Sequence, residues 1–250
     1  GWRDVDVVVN CAGRTRSIIG TENLRVLGVP NQVVALENGT QGWQLAGFQL
    51  ERDNPAPEFD APDREARARA KTFAQSLAER YDLPRVTLAE ALAAHDDPAK
   101  ATYLLDVRTR EEFLAGHVPG SVHAPGGQLA QATDQWVAVR GGRIYLLDDV
   151  ALRAAITARW LRGMGHDACL VTVTADALSE RGETRSADLR ELGTPLLDAG
   201  QLGEALASGA VALDLSTSGE YRAAHVAGTR WATRAGLDRL ATCCSYCRRR

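Results

Sequence analysis

Two stretches of the chain, YLLDVRTREEFLAGHVPGSVHAP (residues 103–125) and VALDLSTSGEYRAAHVAGTRWAT (residues 211–233), follow the same pattern. In each, a short apolar run ends in an aspartate, Asp106 or Asp214, and a His-Val pair begins eleven residues later, at His117 or His225. Two segments with one pattern indicate an internal repeat. We call each of these segments a front half.

A second pair of stretches also matches, VDVVVNCAGRTRSIIGTENLRVLGV (residues 5–29) and GRIYLLDDVALRAAITARWLRGMGH (residues 142–166). Cys11 precedes Gly28 by seventeen residues, and Asp148 precedes Gly165 by the same number. We call each of these segments a back half. The chain therefore runs back, front, back, front, and only its middle contains a contiguous front and back half.

Both back halves have the character of a strand followed by a helix. Val5–Asn10 and Ile144–Leu147 are short apolar runs, typical of strands buried in a parallel sheet. An amphipathic pattern follows each run, and Gly28 and Gly165 stand where a glycine ends a helix. Alternating strands and helices predict an α/β fold in which each domain is a parallel sheet flanked by helices on both faces.

The repeat and the composition predict how the chain is divided. We expect the following segments: a back half with the Cys11 loop at 1–53, a linker and helix at 54–82, a complete domain at 83–178, a linker at 179–189, a front half at 190–241 and a disordered tail at 242–250. The linker near residues 53–63 contains three prolines, and residues 64–80 have a helical composition.

The loop after the first strand has the residues that a reactive thiol needs. Only a thiolate is a strong nucleophile, and a free cysteine has a pKa of about 8.5. Backbone N–H groups and the positive end of the following helix can lower the pKa of Cys11. Gly13 is expected to let the backbone turn its amides inward, and Ser17 to cap the helix. The alternative is that Cys11 is a buried structural thiol.

These residues resemble the rhodanese family of sulfurtransferases, in a tandem multidomain form. The motifs that carry the resemblance are Asp106-Val107-Arg108, Glu112-Phe113 and Gly116 to Ser121 in the front half, and Cys11 to Ser17, Gly39, Gly42-Trp43 and Gly47 in the back half. They cover most of residues 3–53 and 84–240. The resemblance implies rhodanese-like domains, and it suggests a fragment of a longer protein.

The resemblance also implies an activity and a site. Members of the family move sulfane sulfur from thiosulfate, or a similar donor, to a thiol or cyanide acceptor. By position, Cys11 is the catalytic residue that carries the sulfur as a persulfide. The substrate-binding residues are Ala12, Gly13, Arg14, Thr15, Arg16 and Ser17. Asp106 and Arg108 are expected to support the loop region as a hydrogen-bonded pair.

Asp148 is where the sequence departs from that site. It stands at the position that corresponds to Cys11, and a carboxylate cannot attack sulfane sulfur and would repel an anion. We therefore expect the domain at 83–178 to be catalytically inactive. The second hypothesis for the chain follows: an inactive fragment that acts as a binding or scaffold module.

A cysteine phosphatase or arsenate reductase is a further alternative, because these enzymes also place a cysteine in an anion-binding loop. Such loops have five residues between the cysteine and the arginine. Here four residues separate Cys11 from Arg16, and Ser17 stands at the arginine position. The shorter loop favours the smaller sulfane sulfur.

Composition limits the remaining classes. A net charge of -3 gives no basic footprint for nucleic acid, and no apolar stretch is long enough to span a bilayer. Five unevenly placed cysteines argue against a disulfide framework and favour the cytoplasm. We expect no cofactor. We also expect no metal, because Cys244 and Cys247 have no second ligand pair at zinc spacing. The half domains could complement one another by self-association.

Overall fold

Parallel strands alternate with helices along the chain. The structure, a computed structural model, describes residues 4–55, 61–97, 99–184, 193 and 195–233. The strands are β1 (Val7–Val9), β2 (Val33–Ala35), β3 (Thr102–Asp106), β4 (Val122–His123), β5 (Arg143–Asp148), β6 (Asp167–Thr172), β7 (Leu213–Asp214) and β8 (Arg230–Trp231). The helices are α1 (Thr15–Val26), α2 (Gly39–Leu45), α3 (Arg64–Arg80), α4 (Leu88–His95), α5 (Arg110–Ala115), α6 (Gly126–Gln131), α7 (Leu152–Gly163), α8 (Ala199–Ala207) and α9 (Ser218–Ala223).

The chain divides into one unit of residues 1–185 and another of residues 186–250. The first unit contains a four-stranded parallel sheet with the strand order β4-β3-β5-β6. It also contains a two-stranded parallel sheet in which Val8 of β1 is paired with Val34 of β2. In the second unit, β7 and β8 pair in parallel. The α/β fold with a parallel sheet is confirmed.

Successive side chains of the four-stranded sheet point to opposite faces, and helices cover both. On one face, Leu105 and Leu146 pack with residues of α3, α6 and α7. On the other face, Leu104 and Tyr145 pack with Ala91 of α4. Each fully buried leucine contributes roughly 1.5–3 kcal/mol relative to an exposed one, so burial on both faces stabilises this sheet.

The helix boundaries follow the sequence signals. Helix α3 begins after Asp63, whose carboxylate accepts a hydrogen bond from the Ala66 N–H group. Gly28 and Gly165 have φ angles of 73° and 88° just after α1 and α7, as a glycine that ends a helix requires. Strand β1 is shorter than the predicted run Val5–Asn10, because its pairing with β2 extends over only three residues.

The two front halves share local geometry as well as sequence. Thr109 and Glu112 form a capping box at the start of α5, and Thr217 and Glu220 form the same box at the start of α9. A histidine ring follows each helix and stacks on an aromatic ring, with 3.9 Å between the centroids in both cases. Each front half therefore folds locally in the same way.

Candidate active site

Cys11 lies in the loop that joins β1 to α1. Its side chain is half-buried, and its Sγ atom is 3.5 Å from the Ser17 Oγ atom. The pKa of the Cys11 thiol is lowered, first by the hydrogen bond with the Ser17 hydroxyl. Burial opposes this effect, whereas the backbone N–H groups of Ser17, Gly13 and Arg16 add to it. These donors favour the thiolate, which is the nucleophilic form.

Ser17 lies in the first turn of α1, so the prediction that it caps the helix is wrong. Arg14 occupies the cap position, without a side-chain hydrogen bond to the helix. The Ser17 hydroxyl is buried and donates to the Arg14 carbonyl group over 2.9 Å. Because a hydroxyl can rotate, Ser17 can accept a hydrogen bond from the Cys11 thiol and donate one to the thiolate.

The start of α2 holds the loop from the other side. The Thr40 N–H group donates to the Cys11 carbonyl group over 2.8 Å, and the Gln41 N–H group donates to the Ala12 carbonyl group over 3.1 Å. Gly39 has a φ angle of 55°, and a Cβ atom there would overlap the carbonyl oxygens of Cys11 and Gly13. The sequence pattern marked Gly39 but gave no signal for Thr40 or Gln41, which are distant in the chain.

The conformational freedom of glycine, which was expected to matter at Gly13, is not used there. Its φ angle lies outside the left-handed region, and a Cβ atom at this position would have no neighbour within 4 Å. The backbone conformation therefore does not require glycine at this position. The Gly13 N–H group nevertheless lowers the pKa of Cys11.

The cationic side chains of the loop remain available to a ligand. Arg14, Thr15 and Arg16 are exposed, like Ala12. Within the described part of the chain, neither arginine side chain takes part in a hydrogen bond or an ion pair. Guanidinium groups bind oxyanions with paired hydrogen bonds, so the loop can hold an anionic sulfur donor beside Cys11.

Asp148 occupies the corresponding place at the end of β5. Its carboxylate is fully buried and accepts hydrogen bonds from the N–H groups of Arg153 and Ala154, over 2.8 and 3.3 Å. The Arg153 guanidinium adds a contact of 2.9 Å. Burial raises the pKa of Asp148, and Arg153 opposes this. The equivalent of the Cys11 position is therefore filled by an internal ion pair.

Arg153 corresponds to Arg16, because each lies five residues after the position that Cys11 and Asp148 share. Beyond Asp148, Arg153 contacts Asp149 over 2.9 Å and Glu112 over 2.5 Å. Its guanidinium is thus engaged by carboxylates, whereas that of Arg16 contacts no carboxylate among the described residues. The two loops differ in charge as well as in the nucleophile.

Asp106 and Arg108 form the supporting pair that the sequence predicts. The Arg108 guanidinium donates to the Asp106 carboxylate over 2.7 Å and to the Gly116 carbonyl group over the same distance, and both residues are buried. His117 is also buried, and its Nδ1–H group donates to the Phe113 carbonyl group over 2.9 Å. These residues fix the turn around Gly116.

The described residues contain no group of three or more His, Cys, Asp or Glu side chains that could hold a metal ion. Cys243, Cys244 and Cys247 lie outside the described residues, as does the predicted tail at 242–250. None of the described helices is both long and apolar enough to cross a membrane.

Comparison with a family model identifies the class of domain to which this fold belongs. Residues 87–173 match the Rhodanese-like domain. This range contains the four-stranded sheet and the Asp148 loop, but not Cys11. No curated protein sequence matches the chain significantly.

One solved structure extends the likeness to nearly the whole chain. A thiosulfate sulfurtransferase from Pseudomonas aeruginosa is 42% identical over 94% of this chain, with a TM-score of 0.73. The chain spans 45% of the length of that protein. SseA from Escherichia coli, a 3-mercaptopyruvate sulfotransferase, is 21% identical over 69% of this chain and 68% of its own, with a TM-score of 0.30. The chain therefore contains a rhodanese-like domain at residues 87–173 and has the rhodanese fold.

Proposed function

We propose that the chain is part of a sulfurtransferase whose nucleophile is Cys11. It takes sulfane sulfur from thiosulfate or a similar donor and passes it to a thiol or cyanide. The observation that carries the proposal is the Cys11 Sγ atom, 3.5 Å from the Ser17 Oγ atom, in a loop where the N–H groups of Gly13, Arg16 and Ser17 lower the pKa of the thiol. The identity with a thiosulfate sulfurtransferase supports it.

The reaction has two displacement steps at sulfur. The Cys11 thiolate attacks the outer sulfur of thiosulfate, the S–S bond of the donor breaks, and sulfite leaves with the electron pair. A persulfide remains on Cys11. Cyanide, or an acceptor thiolate, then attacks the outer sulfur of the persulfide and releases the Cys11 thiolate. The cycle needs no other oxidant or reductant.

The loop residues supply binding in this proposal. Arg14 and Arg16 hold the sulfonate oxygens of the donor, and the Thr15 hydroxyl can donate a further hydrogen bond. The N–H groups of the loop stabilise the thiolate and then the persulfide anion, which carries its charge one atom farther out. Ala12 and Gly13 keep the approach to Cys11 free of bulky side chains.

The domain at 83–178 has a different role. Because Asp148 replaces the thiol and Arg153 is engaged by carboxylates, we assign this domain a scaffold function. The chain would thus combine an active loop with an inactive domain. A reducing compartment such as the cytoplasm would keep Cys11 available.

The back half with Cys11 leaves one face of its small sheet open. Val8 is 57% exposed, whereas its counterpart Tyr145 in the complete domain is 4% exposed and packs with Ala91 of α4. Burying Val8 would remove this apolar surface from water. We propose that a front half covers this face, supplied by residues 190–241 of a second copy of the chain.

The test is an assay of thiocyanate formed from thiosulfate and cyanide. We expect Cys11→Ser to abolish activity, and Cys169→Ala, which changes a fully buried thiol of β6, to retain it. Activity that survives Cys11→Ser would contradict the site. Activity per chain should rise with protein concentration if a second copy completes the domain, and a constant value would contradict self-association.

A further inference from the structure

We infer that the inactive domain positions the Cys11 loop by bracing helix α1, through Trp160 and Arg159 of α7. The importance of this bracing rests on the proposed function. Its effect on the alkylation of Cys11 can be measured whether or not the chain transfers sulfur. Helix α1 supplies the N–H groups of Arg16 and Ser17 that lower the pKa of Cys11. Its orientation therefore sets the position of these donors around the Sγ atom.

The far part of α1 is attached to α7 by two polar contacts. The Trp160 Nε1–H group donates to the Asn23 Oδ1 atom over 2.8 Å, and the Arg159 guanidinium contacts the Glu22 carboxylate over 2.9 Å. Both pairs are partly buried, and each joins residues 137 positions apart in the chain. They link the back half at 1–53 directly to the complete domain.

Apolar packing at the end of α1 adds to this attachment. Val26 and Leu27 pack against the core cluster of the complete domain that includes Leu129 and Leu161. On its other side, α1 is held by β2, because the Arg25 guanidinium donates to the Val33 carbonyl group over 2.6 Å. The helix is thus fixed between its own small sheet and the inactive domain.

The polar contacts matter because the interface is not densely filled. A cavity of about 240 Å³ borders it, lined by Ile19 and Asn23 of α1 and by Ile156 and Trp160 of α7, among others. A helix that loses the contact between Asn23 and Trp160 has room to shift towards this space. Asn23 lies six residues after Ser17, which is about 9 Å along a helix, so a tilt there moves the first turn.

The test compares two substitutions with the same chemistry. Trp160→Phe removes the N–H group that donates to Asn23. The control, Trp136→Phe, removes an N–H group of the same domain that donates to the His123 carbonyl group over 3.0 Å. The readout is the rate of Cys11 alkylation by iodoacetamide against pH, measured on the tryptic peptide Asp4–Arg14. We expect Trp160→Phe to move the midpoint to higher pH and to slow alkylation at pH 7 roughly two- to fivefold. Trp136→Phe should leave the profile unchanged.

Variants on α1 separate positioning from loss of folding. Asn23→Asp keeps an acceptor for Trp160 and should keep the wild-type profile, whereas Asn23→Leu should behave like Trp160→Phe. The double variant Trp160→Phe/Asn23→Leu should be no slower than either single variant. The inference would be overturned if Trp160→Phe and Trp136→Phe changed the alkylation profile equally. It would also be overturned if Trp160→Phe left the profile unchanged, or if Asn23→Leu did. A wild-type midpoint at the ordinary value of a free thiol would instead contradict the proposed function.

Discussion

The contrast between Cys11 and Asp148 shows how one residue changes a loop. Both follow a parallel strand and precede a helix, and backbone N–H groups near both favour a negative charge. In one loop this environment lowers the pKa of a thiol. In the other loop the same position is occupied by the Asp148 carboxylate, which forms an ion pair with Arg153. We attribute the difference in expected activity to two features. One is the side chain at this position, and the other is the state of the corresponding arginine, because Asp148 pairs with Arg153 whereas Cys11 does not pair with Arg16.

Ser17→Ala tests the donor with the largest influence on Cys11. Without the hydroxyl, the pKa of Cys11 should rise, because the thiolate loses a charge-assisted hydrogen bond. The thiolate fraction at neutral pH then falls, and the rate of alkylation at pH 7 should drop about three- to tenfold. The difference should disappear at a pH above both pKa values, where Cys11 is ionised in both proteins.

Ser76→Ala is the matched control for that change. The Ser76 hydroxyl donates to the Thr72 carbonyl group in α3, over 3.1 Å, and does not touch the loop. We expect its alkylation profile to match that of the wild type. A Ser17→Ala profile that also matches the wild type would show that the hydroxyl does not stabilise the thiolate.

At the residue scale, the sequence predicts the local parts of the site better than the distant ones. The position of Cys11 in a loop between a strand and a helix, and the pair of Asp106 and Arg108, could be predicted because their motifs are continuous in the chain. The expected helix cap at Ser17 is wrong, and the contact of its hydroxyl with Sγ could not be predicted because it depends on how the loop turns. Thr40 could not be found, because 29 positions separate it from Cys11.

At the scale of elements, the loop depends on the approach of α2. The carbonyl groups of Cys11 and Ala12 accept hydrogen bonds from the first turn of α2, and this close contact requires a residue without a Cβ atom at Gly39. The helices and their glycine ends follow from sequence periodicity, whereas this contact between two elements does not. It becomes evident only when β1 and β2 pair and bring the two helix starts together.

Gly39→Ala should therefore disturb the loop. A methyl group at this position meets the backbone of Cys11 and Gly13, and the φ angle of 55° is unfavourable for alanine. We expect a loss of more than about 1 kcal/mol in the free energy of unfolding, measured by urea denaturation, together with slower alkylation of Cys11.

Gly47→Ala separates the close contact from backbone strain. Gly47 also has a positive φ angle, 87°, but a Cβ atom there would meet no atom within 4 Å. We expect Gly47→Ala to reduce stability without slowing alkylation of Cys11. If both substitutions slow it equally, the approach of α2 is not what shapes the loop.

At the scale of the whole molecule, the sequence repeat predicts the succession of segments but not how they assemble. The front halves at 103–125 and 211–233 fold locally alike, and the complete domain has both of its halves. The bracing of α1 by α7 could not be predicted, because Trp160 and Asn23 belong to different copies of the repeat. Such contacts depend on how domains pack, which no periodicity in the chain reveals.

The most direct test of the account is the mass of the Cys11 peptide after reaction with thiosulfate. The protein is incubated with thiosulfate, blocked with an alkylating agent, digested, and analysed by mass spectrometry without reduction. We expect one added sulfur atom on the peptide Asp4–Arg14. It should be lost when cyanide is added before the alkylating agent, and the Cys11→Ser protein should show no such change. Added sulfur only on other cysteines, or none on this peptide, would contradict the central claim that Cys11 is the sulfur carrier.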